Sequence, residues 1–331
     1  MEIRDTMLPV LRPLGGEEEV QALREVIESG WWGKGPKVAE FEEKFAKMVG
    51  HKYAVAVTSA SHGQDLVMKA MGWKGIDVIN PAISFIATAM IPLWNNFTTN
   101  IVDVKRDTLC IDPQDVEKYK KPNSELLIAV DEAGVLADYK ELRKVFGGFI
   151  LEDCAHSCWT PGAGLGGDCA VWSFQAAKTM PMGDGGMITT DSDEYATRMR
   201  LMRLHGIDRD PWNNYSSPKP KWDYDVVAPG FKYNLPDINA AIGVAQLERA
   251  EDMRMKRQKC AQLYNEHFSQ ITSIDIPVLT TPMKHHSWHL YPIIINNTSQ
   301  ISRDDVVKLL FENGISTSVH YKPLYLSLIH I

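Results

Sequence analysis

The sequence predicts an α/β fold: a large domain built on a mainly parallel, seven-stranded sheet flanked by helices, followed by a smaller C-terminal α+β domain. Three observations carry this. Short apolar runs recur early in the chain, as YAVAV at 53, DVIN at 77, TTNIVDV at 98, ELLIAVD at 125, GFILED at 148, DCAVWSF at 168 and GMITT at 186. Stretches of helical character separate most of them, notably Asp112 to Tyr119 and Asp138 to Val145. Two further helical patterns, Glu17 to Ser29 and Val38 to Val49, precede the first run and flank a Gly-rich WWGKGP turn. Strand, helix, strand in that rhythm implies a parallel sheet wrapped by helices.

After residue 190 the rhythm changes. Asp193 to Leu204 is helical, Gly206 to Pro229 reads as an irregular loop, and Asp237 to Phe268 is a long helical stretch with few breakers. WHLYPIII at 288, a helix from Arg303 to Glu312 and ISTSVHY at 315 form a β-α-β tail. The expected division is a large domain over residues 1–235 and a small domain over 236–331.

Composition excludes several classes. Hydrophobic residues make up 44% and charged residues 23%, the balance of a soluble globular protein. A net charge of −7 without a basic stripe excludes a nucleic-acid partner. No apolar run reaches the roughly 18 residues of a membrane span, and no h-region follows Met1, so a cytoplasmic protein is expected. Five cysteines, Cys110, Cys154, Cys158, Cys169 and Cys260, contain no Cys-x-x-Cys pair and read as free thiols. His285, His286 and His289 have no carboxylate or cysteine at ligand spacing and read as substrate-side or structural. No metal is expected.

In open α/β sheets, ligands bind beyond the carboxyl ends of the strands. Asp153 ends the run GFILED, and Lys178 follows DCAVWSF in a loop with Ser173, Gln175 and the glycines of GDGG. A carboxylate and a lysine at neighbouring strand mouths suit pyridoxal phosphate, which presents a carbonyl to a lysine and a ring nitrogen to an acid. On spacing alone the same two residues also read as a surface lysine and a helix cap. Gly162, Gly164 and Gly167 match G-x-G-x-x-G, but the run follows Pro161 and leads into a strand. It therefore reads as a glycine-rich turn rather than a dinucleotide site.

Nine segments occur in an order that resembles one family: SGWWGKGPKVAEFEEKFAKMVG, NPAISFIATA, DVKRDTLCIDP, LEDCAHS, WSFQAAKTMPMGDGGMITT, RLHGIDRDPW, GFKYNLPDINAAIGVAQLERAE, HHSWHLYPI and GISTSVHYKPL. The chain resembles the DegT/DnrJ/EryC1/StrS sugar aminotransferases, fold type I pyridoxal-phosphate enzymes that mostly act on nucleotide-linked keto sugars. The resemblance implies a cofactor, pyridoxal 5′-phosphate alternating with its aminated form, held as a Schiff base on Lys178. It places Asp153 on the ring nitrogen, His156 near the ring hydroxyl and Phe85 on the ring face. Ser173 and the turn Ser59-Ala60-Ser61 match the phosphate contacts. Lys232 matches a loop that reaches into the partner subunit of a homodimer, and His320 and Tyr321 fall on the substrate side. The implied reaction moves an amino group from an amino acid, glutamate by analogy, to a nucleotide-linked keto sugar.

The chain also departs from the family. Ala60-Ser61 stands where glycine-threonine is usual, followed by His62-Gly63-Gln64 where small and apolar residues are common. Asp131-Glu132-Ala133-Gly134 is more acidic than its counterparts, and Lys232 stands where Asn is frequent. The sequence stops at LYLSLIHI, some tens of residues before the usual end, so the small domain is read as truncated. Three rival readings follow: a degenerate or regulatory homologue, a pyridoxal-phosphate-dependent sugar dehydratase, and a Rossmann-type oxidoreductase resting on the glycine run. Lys178 argues against the dehydratase, which carries His there.

Overall fold

A strand sheltered by helices on both faces has no solvent side, so its residues are apolar throughout rather than in alternation. Seven segments become strands, all but the edge strand β3 buried along most of their length: β1 (Tyr53–Val57), β2 (Asp77–Pro81), β3 (Thr98–Val102), β4 (Ser124–Val130), β5 (Phe149–Asp153), β6 (Cys169–Ser173) and β7 (Gly186–Thr190). They form one sheet in the order β1-β7-β6-β5-β4-β2-β3. β7 runs antiparallel to both neighbours, and the other pairs are parallel. The computed structural model describes residues 6–208 and 224–327.

The helices begin where the sequence supplies a cap. α1 (Glu17–Ser29) and α2 (Pro36–Val49) end at Gly30 and Gly50, both in the left-handed region at φ 71° and 81°. α3 (Ala60–Met71), α5 (Pro113–Tyr119), α6 (Tyr139–Val145) and α7 (Asp193–Met202) start after Ser59, Asp112, Asp138 and Ser192, whose side chains each accept a first-turn amide. α4 (Ala87–Trp94) follows β2. On one face of the sheet, Leu66 and Met68 of α3 and Met199 of α7 pack on Val55, Ile128, Val171 and Ile188. On the other, Phe41 and Phe45 of α2 meet Trp172 and Phe174 edge-on, at centroid distances of 5.2–5.3 Å.

The long helical stretch divides at Arg249 into α8 (Asp237–Glu248) and α9 (Ala250–Phe268). Arg249 leaves the helical path to pair with Glu19 of α1 at 2.8 Å. Asp237 turns back to cap α2, its carboxylate accepting the amides of Gly35, Lys37 and Val38. Gln246 also donates to Glu19 at 2.7 Å. α8 is thus joined to the first two helices by hydrogen bonds.

The tail is more irregular than the β-α-β pattern. β8 (Ile274–Asp275) pairs antiparallel with β9 (Ile294–Ile295), and α10 (Arg303–Glu312) starts in a capping box of Ser302 and Asp305. Of WHLYPIII, only the last two residues are strand. The segment from His286 to His289 is buried instead, with Trp288 at φ 49°, and Ser287 bonds to the loop above β5, its amide donating to Thr160 Oγ1 and its hydroxyl to the His156 carbonyl. ISTSVHY makes an isolated bridge, Ile315 with Leu8, so the two ends of the chain meet there. Parts of the expected loop Gly206 to Pro229, of RLHGIDRDPW and of LYLSLIHI lie outside the described residues.

Candidate active site

Parallel strands bring their carboxyl ends to one edge of the sheet, and the site is built there. β4 and β5 end side by side, with Val130 opposite Asp153 and the Asp131 amide donating to the Asp153 carbonyl at 3.1 Å. Side chains alternate along an extended chain, so Glu152 and Cys154 turn to one side and Asp153 to the other. Asp153 is buried. Its Oδ2 accepts from Gln64 Nε2 at 2.8 Å and its Oδ1 from the Ala155 amide at 3.0 Å. Burial pushes its pKa up, opposed by the Ala155 amide, the Lys178 charge and Gln64.

Lys178 lies in the loop between β6 and β7. The loop is braced by the Lys178 amide on the Gln175 carbonyl (2.8 Å), Gln175 Oε1 on the Ala177 amide (2.7 Å) and the Met182 amide on the Phe174 carbonyl (2.9 Å). The ammonium makes no hydrogen bond among the described residues. Burial holds its pKa below the usual lysine value, opposed by Asp153 and Glu132. A half-buried lysine with a lowered pKa and no competing hydrogen bond among the described residues has an amine suited to attack a carbonyl.

A second corner lies at the mouths of β1, β6 and β7. Ser173 ends β6 opposite Gly186 of β7. A Cβ on Gly186 would come within 2.6 Å of the Ser59 carbonyl oxygen and the Ala60 nitrogen, so only glycine admits the turn Ser59-Ala60-Ser61 this close. The Ser59 hydroxyl is taken by the His62 amide at 3.1 Å. The amides of Ala60 and Ser61 open α3 without intrahelical partners, at the positive end of the helix. This corner suits a phosphate.

His156 is buried beside Asp153's loop. Its Nδ1 accepts the Ala133 amide at 3.2 Å, which assigns the proton to Nε2, 3.2 Å from the Tyr321 hydroxyl. Burial first, then Lys178 and His320, depress its pKa and keep it neutral. His289 lies against it at a centroid distance of 4.4 Å, and His320 at 6.4 Å. Ser287 clamps the same loop, donating to the His156 carbonyl at 2.8 Å. Phe85 is 56% exposed, its ring 6.2 Å from Tyr321. Lys232 is exposed; its neighbour Tyr233 stacks on His62 at 4.1 Å and accepts the Thr58 amide through its carbonyl. GFKYN therefore lies beside the Ser59 turn of its own chain.

Two polar side chains at the site were not assigned a role from sequence. Gln64 bonds Asp153 across 89 positions of chain. Glu132 is buried, with Oε1 3.5 Å from His156 Nδ1 and Oε2 without a partner among the described residues. Burial pushes its pKa up to about 7, opposed by His320 and Lys178. Both residues fall in segments where the sequence departs from the family, and that departure was the available signal.

Behind Asp153 lies a different cluster. Asp131, Glu152 and Cys154 place their ligand atoms within 4.8 Å of one another. The Asp131 carboxylate accepts from Ser157 Oγ, the Ala137 amide and the Tyr139 hydroxyl, and Glu152 from the amides of Gly164, Gly166 and Gly167. The glycine run is thus a turn that cradles the chain's own carboxylate. Protein donors fill the positions a metal would need. Cys110, Cys154, Cys158 and Cys169 are free and buried, and Cys260 is free and exposed. A cavity of about 340 Å³ adjoins the lysine loop, lined by Lys178, Thr179, Arg257, Tyr264, Trp288 and Tyr291 among others. Asp153, His156 and Ser173 do not line it.

The chain has relatives throughout its length. Residues 13–329 match the model of the DegT/DnrJ/EryC1/StrS aminotransferase family. The spore coat polysaccharide biosynthesis protein SpsC of Bacillus subtilis is 38% identical, over 98% of this chain and 85% of its own. The aminotransferase TlmJ of Streptoalloteichus hindustanus superposes with a TM-score of 0.88 at 28% identity, over 98% and 87% of the two chains. Spr1654 of Streptococcus pneumoniae, solved in PLP and PMP forms, superposes with a TM-score of 0.88. Its PMP form is 26% identical, over 98% and 86% of the two chains. No helix among the described residues is long and apolar enough to cross a membrane.

Proposed function

The chain belongs to the DegT/DnrJ/EryC1/StrS aminotransferase family, and from that premise we propose that it transfers an amino group from an amino acid, glutamate by family analogy, to a nucleotide-linked keto sugar. The cofactor is pyridoxal phosphate, covalently held by Lys178. The observation that carries this is the pairing of a half-buried Lys178, its ammonium without a hydrogen bond among the described residues, with a buried Asp153 at neighbouring strand mouths. The Ser59 turn and Ser173 supply an anion corner. Gln64 Oε1 and Glu132 Oε2 are buried acceptors with no donor among the described residues, as expected where a ligand completes the site.

When bound, the cofactor supplies an electron sink for the carbon that gains or loses the amino group. The chain's own residues do the rest. Asp153 presents a carboxylate, already fixed by two donors, toward a ring nitrogen. His156, neutral and with its proton on Nε2, faces the ring hydroxyl. Phe85 offers an open aromatic face. Lys178 would hold the cofactor through its amine, which an incoming amino donor would free. Its lowered pKa then lets the free amine take the proton from the donor's α-carbon and return it on the other side of the transfer. His320 and Tyr321 border the keto sugar. A homodimer, with Lys232 entering the partner's site, completes the reading.

Borohydride reduction of the holoenzyme followed by peptide mapping tests the central assignment. A cofactor-labelled peptide containing Lys178 is expected, and a label elsewhere overturns it. Loss of the lysine-bound absorption on adding glutamate, and its return with a nucleotide keto sugar, tests the substrates.

A further inference from the structure

Gln64 lies on the first turns of α3, three positions past the Ser59-Ala60-Ser61 turn. Its amide nitrogen donates to Asp153 Oδ2 at 2.8 Å, and both side chains are buried. Its amide oxygen has no donor among the described residues. Packing does not explain such a residue: a buried amide with an unsatisfied acceptor is costlier than an apolar side chain of the same length. What the amide supplies, and methionine or leucine cannot, is an N–H aimed at a carboxylate.

That carboxylate has few other supports. The Ala155 amide holds Oδ1, Gln64 holds Oδ2, and Glu132 faces the same space as a second acid. Each Asp153 oxygen keeps one lone-pair direction free, and the two donors fix which way those directions point. Gln64 stands on the helix whose first amides form the anion corner. It therefore ties the group that would meet the ring nitrogen to the element that would meet the phosphate.

We propose that Gln64 is a positioning residue for Asp153, holding its carboxylate toward the cofactor's ring nitrogen and so setting how tightly the cofactor binds. The inference rests on the reading of pyridoxal phosphate as cofactor with Asp153 on its ring nitrogen.

Titration of cofactor-free wild type and Gln64→Met with two ligands tests it. One is pyridoxal phosphate; the other is its 1-deaza analogue, in which carbon replaces the ring nitrogen. Gln64→Met should bind pyridoxal phosphate about tenfold more weakly, the scale of one hydrogen bond to a charged group. For the analogue, wild type and variant should agree within about twofold, because nothing remains for Asp153 to meet. An equal loss for both ligands would make Gln64 merely structural, and no loss for pyridoxal phosphate would also overturn the proposal. If wild type itself does not bind pyridoxal phosphate, the cofactor assignment fails instead. Should Gln64→Met not fold, Gln64→Leu carries the same comparison.

Discussion

Two groups of buried carboxylates stand at the same sheet edge, and they are treated in opposite ways. Asp131 and Glu152 are saturated: six donors from Ser157, Ala137, Tyr139 and three glycine amides enclose them. Asp153 and Glu132, each the next residue along, face the other side with too few donors, beside a lysine whose ammonium makes no hydrogen bond among the described residues. Neighbours in an extended chain point apart, so one strand end builds a closed face and an open one. The closed face has finished its hydrogen bonding and serves the fold. The open face keeps unsatisfied acceptors and a half-buried lysine, and that asymmetry makes it the candidate site.

The contrast yields a largest effect on the open side. Lys178→Ala should lower kcat by about 10²–10⁴-fold, the range lost with a positioned proton carrier, and abolish the borohydride-stable label. The urea midpoint of the cofactor-free protein should not fall, since the change removes a half-buried cation that makes no hydrogen bond among the described residues. A stability loss as large as the activity loss would erase the distinction between the two faces. Glu152→Gln is the converse. It turns an acceptor of three amides into a group that presents donors to donors, and should cost about 3 kcal/mol in urea unfolding. Whatever folds should still be labelled at Lys178.

Much of this was legible in the sequence. The seven strands and the helices between them follow from apolar rhythm, because a sheet covered on both faces leaves no polar alternation to confuse it. Lys178, Asp153 and Ser173 were visible as residues at strand ends. Gln64 and Glu132 were visible only as departures, because the meaning of a buried polar residue lies in its partner, and Gln64's partner is 89 positions away. The tail was least legible. Residues His286 to His289 have strand-like composition, but Ser287 among them is used in tertiary contacts to the His156 loop, which local pattern does not encode. The break at Arg249 has the same origin, in an ion pair with Glu19.

Glu132 sharpens the comparison through pH. Its pKa is raised by burial from 4.5 to about 7, so the folded protein binds a proton that the unfolded chain has released between those values. Stability from this residue is therefore fully present below about pH 4.5 and lost as pH rises through about 7. Glu132→Gln removes that dependence. In the cofactor-free protein, the variant should gain up to about 3 kcal/mol on wild type between pH 5 and pH 8, read from urea unfolding at each pH. An unchanged difference across that range would place Glu132 among the saturated carboxylates.

The smallest effect is expected at the anion corner, where a single turn contains both kinds of group. The Ser59 hydroxyl is already taken by the His62 amide at 3.1 Å, whereas the amides of Ala60 and Ser61 remain for a ligand. Ser59→Ala deletes the cap and should cost about 1 kcal/mol of stability. Because the amides that face an anion belong to the backbone, they survive the substitution. Pyridoxal phosphate affinity should then change by less than about threefold, in keeping with the few tenths of a kcal/mol usual between weakly coupled groups. A loss of tenfold or more would show that Ser59's hydroxyl leaves its cap to bind the phosphate. The turn would then belong wholly to the open face, with α3 starting uncapped whenever the site is filled.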